Sequence, residues 1–119
     1  MDHRKLGLRV YATAATWSAA FGLAERLIEA LAPLVSVREC RVYPYPKFED
    51  HYGIWLELAS ADQSAAFEAV KALAAPSWQM IGGPDDREAI WNRSIDGGAA
   101  ILAEATWIHL DLWAEPDES

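Results

Sequence analysis

The sequence predicts an α+β sandwich, an antiparallel or mixed sheet with two helices packed on one of its faces. Three observations predict it. Segments with the period-two alternation of half-buried strands are interleaved with two segments whose apolar residues recur at three- and four-residue steps. The 119 residues suit a single domain, 1–119, with no room for a second independent core. A hydrophobic share of 52 %, with only 7 Gly and 6 Pro, excludes a disordered, collagenous or linker-like chain.

From Leu6 to Ala12 the residues Leu6, Leu8 and Val10 alternate with Gly7, Arg9 and Tyr11, which predicts the first strand. Thr16 can cap the next segment, where Ala20, Phe21, Ala24, Leu27, Ile28 and Leu31 mark the apolar face of a helix that ends before Pro33. Val35 to Tyr45 is rich in β-branched and aromatic residues. Pro44 and Pro46 allow pairing only at an edge or near the end of that strand. After the polar connection 47–52, Gly53 to Ala59 alternates again, and the two strands predict an antiparallel hairpin.

Ser60 and Gln63 have the spacing of a capping box ahead of a second helix over 61–75, with Ala66, Phe67, Val70, Leu73 and Ala74 expected in the core. Trp78 to Ile81 predicts a short strand, followed by the turn Gly82-Gly83-Pro84-Asp85-Asp86. Glu88 to Arg93 predicts another strand, and Asp96-Gly97-Gly98 a further turn. The final strand, Glu104 to Trp113, puts Ile108, Leu110 and Leu112 on one side and Trp107, His109, Asp111 and Trp113 on the other. The order strand, helix, strand, strand, helix and then two or three strands predicts a ferredoxin-like sandwich with extra C-terminal strands.

The chain carries 10 Lys and Arg against 18 Asp and Glu, a formal charge of −8. Nucleic acid and anionic membranes are therefore poor partners, and a cationic partner is favoured. The single cysteine, Cys40, excludes an internal disulfide and a Cys-rich zinc module. Val10 to Ala24 follows basic residues but is interrupted by Thr13, Thr16 and Ser18, so it lacks the apolar run of a secretory signal; no segment is long enough to span a bilayer. A cytoplasmic location is expected.

With both helices on one face, Arg9, Tyr11, Trp55, Glu57, Trp107, His109, Asp111 and Trp113 are expected on the other, joined by Trp91. Six tryptophans in so short a chain are many, and large aromatics seldom remain uncovered. Three covers are open: the Gly- and Ala-rich segment Gly97 to Ala103 or the tail folding back, a sheet-to-sheet homodimer, or a ligand or partner. From Asp85 onward there are nine acidic residues and two basic ones, Arg87 and Arg93. Carboxylates around an aromatic centre suit an Arg- and Lys-rich surface.

His109 and Asp111 share a strand face near Glu57, a pattern compatible with general-base chemistry, but no Gly-x-Ser-x-Gly nucleophile motif accompanies them. His3, His51 and His109 lack metal-ligand spacing, and no phosphate-binding glycine loop is present, so neither metal nor cofactor is expected. An acidic α+β chain with Gly53-Ile54-Trp55-Leu56-Glu57-Leu58 and Thr106-Trp107-Ile108-His109-Leu110-Asp111-Leu112-Trp113 resembles bacterial immunity proteins of polymorphic toxin systems, including contact-dependent growth inhibition. The resemblance implies a non-enzymatic inhibitor that binds a cognate toxin domain, often a cationic nuclease, and occludes its active site. The expected partner-binding residues are Trp55, Glu57, Asp85, Asp86, Trp91, Trp107, His109, Asp111 and Trp113. The rival reading is a dimeric α+β barrel enclosing an aromatic pocket for a small molecule.

Overall fold

A computed structural model describes residues 3–83, 86–97 and 100–114. The elements run β1 (Lys5–Thr13), α1 (Trp17–Leu31), β2 (Ser36–Pro44), β3 (His51–Ala59), α2 (Gln63–Ala74), β4 (Gln79–Gly82), β5 (Arg87–Asn92), the single-turn α3 (Arg93–Asp96) and β6 (Ala105–Trp113). The strands form one sheet in the order β2-β3-β1-β6-β5-β4, antiparallel at every pairing. The fold is thus α+β, with the antiparallel rather than the mixed form of the sheet. No helix among the described residues is long and apolar enough to cross a membrane.

Alternation in the three central strands decides which face is buried. Leu6, Leu8, Val10 and Ala12 of β1 lie opposite Leu58, Leu56, Ile54 and Tyr52 of β3 on one side. On the other side the same four residues meet Leu112, Leu110, Ile108 and Ala105 of β6. All but Tyr52 are fully or almost fully buried. Above them α1 contributes Ala20, Leu23, Ala24, Leu27 and Leu31, and α2 contributes Ala66, Phe67, Val70 and Ala74. Thr16 caps α1 as its sequence position predicts, its hydroxyl accepting from the Ala19 amide at 3.1 Å.

Several local expectations are corrected. Asp62, not Ser60, caps α2, accepting from the Ala65 amide at 3.0 Å. Gln63 turns inward instead of closing a capping box, and its amide donates to the carbonyls of Arg4 (3.1 Å) and Leu58 (3.4 Å). Phe21 and Leu73, expected in the core, are 51 % and 45 % exposed. Phe21 stacks on Trp17, which packs edge-on against Tyr52, while Leu73 sits beside the buried stripe of α2. Trp78 precedes β4 rather than joining it, and its indole N–H donates to the Lys71 and Ala75 carbonyls at the end of α2.

Trp91 is the largest correction. β5 pairs with β6 so that Trp91 lies opposite Ile108, which puts it among the helix-side residues and leaves it 0 % exposed. Its indole N–H donates to the Gly97 carbonyl at 3.0 Å, and the Arg93 guanidinium lies over the ring. The segment 100–104 also closes this core rather than folding over the opposite face, and the tail 115–119, the other cover that the chain itself offers, lies outside the described residues. Leu102 is buried, and the Ile101 amide donates to the Ala74 carbonyl at 2.8 Å. Glu104, expected to start the last strand, precedes it and pairs with Arg26 at 3.0 Å, which lowers its carboxyl below the usual range.

Trp91→Ala removes a fully enclosed indole, and about 3–5 kcal/mol of stability should be lost. Urea denaturation followed by circular dichroism measures this. A loss under about 1 kcal/mol would mean that the site can collapse around the truncated side chain.

Candidate functional site

Register arranges the face opposite the helices into transverse rows, because residues paired across antiparallel strands share a face. The first row reads Glu39, Glu57, Gly7, Asp111 and Glu88 across β2, β3, β1, β6 and β5. The second reads Arg41, Trp55, Arg9, His109 and Ile90, and the third Tyr43, Gly53, Tyr11, Trp107 and Asn92. An acidic band therefore adjoins a cationic and aromatic one, with an aromatic band beyond. At a strand spacing of about 4.8 Å, the acidic band spans about 19 Å.

Two glycines make room for rings. A side chain at Gly53 would overlap the Tyr43 ring, 2.4 Å from the position of a Cβ. At Gly7 a Cβ would lie 3.2 Å from the Trp113 ring and 3.5 Å from Trp55 Nε1, so both indoles close over the gap in the acidic row. Tyr11 is the hub of the third row, stacked on Tyr45 at 4.2 Å and on Trp107 at 5.1 Å. Tyr45 and Phe48 come from the β2–β3 connection, which covers that end of the face. The Tyr43 hydroxyl is pushed up to about 12 by burial and by its hydrogen bond with Tyr11.

Between the indoles and the tyrosines lies a cleft of about 770 Å³, lined by Gly7, Arg9, Tyr11, Arg41, Tyr43, Trp55, His109, Asp111 and Trp113. Four of the residues expected from sequence, Trp55, His109, Asp111 and Trp113, meet there. Glu57 and Trp107 share its face, while Asp86 sits at one corner, accepting from the Ala114 amide at 3.1 Å. Asp85 lies outside the described residues, and Trp91 lies on the far side of the sheet. Arg41, Tyr43 and Glu88 were not expected at the site. The alternation of β5 places Glu88 on this face once Trp91 is assigned inward, whereas the partners of β2 depend on a register shift between Val37 and Glu39.

Several of the charges are locally paired. Arg41 bonds Glu39 at 2.7 Å and lies over the Trp55 ring, Arg38 stands 4.0 Å from Glu57, and His109 Nε2 lies 2.8 Å from Glu88. Burial raises the Asp111 carboxyl above its ordinary value, and the nearby charges of Glu88 and Asp86 add to this against the attraction of His109 and Arg9. Glu88, His109 and Asp111 bring ligand atoms within 4.8 Å of one another, a set of donor types that suits a divalent metal such as zinc. Sequence spacing did not reveal this cluster because it is assembled across β5 and β6. Asp111, His109, Tyr11 and Tyr43 bring groups to the cleft that can bind a ligand or exchange protons with it.

Asp111 makes a pH prediction. The folded carboxyl holds its proton more tightly than the unfolded one, so its ionisation costs stability, and that cost enters as pH rises through the ordinary value of 3.8 toward the raised one. Asp111→Asn should therefore gain stability over the parent as pH rises through this window and keep the gain above it. Paired urea titrations at pH 3 to 7 check the direction, and a gain confined to acid pH would contradict it.

The chain matches no protein-family model, no curated protein and no solved structure, so the reading of this face rests on its own residues.

Proposed function

We propose that this chain is a non-enzymatic immunity protein that binds and neutralises a cognate, cationic toxin domain such as a nuclease, in the cytoplasm of the cell it protects. The observation that carries this reading is the sheet face opposite the helices, which the described residues leave open and where half-buried Trp55, Trp107 and Trp113 stand beside the carboxylates of Glu57, Asp111, Glu88 and Asp86. Indoles supply affinity when a partner covers them, and the acidic row selects a basic surface. Trp91, enclosed in the core, takes no part in this surface. The net charge of −8 agrees with a protein partner of opposite charge and with no role for nucleic acid.

The fold is proposed to be a ferredoxin-like sandwich. Support comes from the order β6-β1-β3-β2, with α1 joining β1 to β2 and α2 following β3; the β4–β5 hairpin then extends the sheet beyond β6. The same face supports a second reading, a dimeric α+β barrel, because a second copy laid sheet to sheet would roof the 770 Å³ cleft. Light scattering at micromolar concentration separates the two: a monomer argues against the barrel.

Affinity capture at moderate and high salt tests the immunity reading. The captured protein should be basic, its retention should fall with salt, and stoichiometric addition of the chain should abolish its activity. Trp107→Ala combined with Asp111→Ala should leave the chain folded and weaken that complex by about 2–4 kcal/mol in calorimetry. Unchanged affinity of the folded double variant would remove this face from the interface.

A further inference from the structure

Arg9 stands at the centre of the open face, on the central strand, between Trp55 of β3 and His109 of β6. Its Nε is buried and has no hydrogen-bond partner, and no ion pair within 4.0 Å reaches its guanidinium among the described residues. The other arginines near the face differ: Arg41 is bonded to Glu39 and Arg38 lies by Glu57. The Nε is closed to solvent, but Arg9 lines the cleft, so its terminal nitrogens are the donors that an incoming anion would meet. Arg9 is close enough to Tyr43 and Asp111 for its charge to act on both, yet it bonds neither.

The surroundings specify the rest of such an anion. Along β1 the same-face positions Gly7, Arg9 and Tyr11 span about 13 Å, at about 3.3 Å per residue. The Trp113 and Trp55 indoles occupy the Gly7 end, and Tyr11 and Tyr43 the other. A flat hydrocarbon body would rest against indole or phenol rings while its charged end reached the guanidinium between them. A phosphate ester or polyanion fits less well, because Asp111 lines the cleft and Glu57 and Glu88 lie in the adjoining row. One negative charge is what Arg9 can satisfy without drawing further charge toward those carboxylates.

We propose that the cleft is a binding site for a planar aromatic monocarboxylate, with Arg9 as the carboxylate receptor and Trp55, Trp113, Tyr11 and Tyr43 as its aromatic walls. The site belongs to the isolated chain and requires neither a toxin partner nor a second copy, so its success or failure is separate from theirs.

The probe is 2-naphthoate, titrated into the purified full chain by calorimetry, with 2-naphthalenemethanol, 2-naphthylmethylammonium and acetate as comparisons. Saturable naphthoate binding at least tenfold tighter than the alcohol or the ammonium is expected, with acetate weaker still. Arg9→Gln should reduce the preference for the acid over the alcohol to about twofold or less, while Arg9→Lys should retain part of it. Trp113→Leu should weaken naphthoate binding, and Trp17→Leu, on the opposite side of the sheet, should not. Circular dichroism establishes folding; if Arg9→Gln fails to fold, the Arg9→Lys and Trp113→Leu results decide. Equal affinity for acid and alcohol, an undiminished preference in folded Arg9→Gln, equal effects of Trp113→Leu and Trp17→Leu, or no saturable naphthoate binding would each overturn the proposal.

Discussion

The register of β1 between β3 and β6 is the constraint on which both faces depend. Its even-numbered residues Leu6, Leu8, Val10 and Ala12 are buried beneath the helices, while Gly7, Arg9 and Tyr11 turn the other way. Because β1 pairs on both edges, it imposes this parity on its two neighbours, and β6 passes it to β5. A slip of one residue would turn Arg9 into the apolar layer and lift Leu8 out of it, a change opposed by both pairings at once. The core and the open face are therefore two consequences of one alternation.

That alternation also organises the charge. Carboxylates alone along Glu39, Glu57, Asp111 and Glu88 would repel across neighbouring strands, and like charges placed side by side destabilise a sheet. Two features relieve this. Gly7 removes a side chain from the middle of the row, and the next row, two residues along each strand, places the Arg41 guanidinium and the His109 ring nitrogen against the acids at its outer parts. The remainder is borne by Asp111, whose proton is held more tightly by burial and by its acidic neighbours.

Period-two alternation made the face of β1, β3 and β6 legible in the sequence, and with it Trp55, Glu57, Trp107, His109, Asp111 and Trp113. It failed where a residue's own strand carried too little contrast. β5 reads Arg-Glu-Ala-Ile-Trp-Asn, in which Ile90 and Trp91 are both apolar, and only pairing with Ile108 decides that the indole goes inward. On α1, Phe21 satisfies helical spacing yet lies beside Trp17, away from the packed stripe. Arg41 and Tyr43 sit on an edge strand with an irregular register, so their position over the cleft depends on tertiary pairing that no local pattern encodes. Asp111 lies on the open face as its strand parity predicted, but charge counting gave no weight to Arg9 at the centre of that face, and no local pattern pointed to Arg41 on its edge strand.

Those arginines bear on partner choice as well as on the cleft. A uniformly acidic surface attracts any basic protein, because long-range attraction carries little information about register. The rows here would oblige the proposed basic partner to place cations over Glu57, Asp111 and Glu88 while keeping them off Arg9, one row away on the central strand. A misplaced lysine would meet a guanidinium instead of a carboxylate, and such like-charge contacts reject wrong alignments more strongly than added attraction favours the right one. Arg9 would thus have a physical role under either proposed occupant: it would receive an anion small enough to enter the cleft, and it would enforce alignment where the cover is a protein.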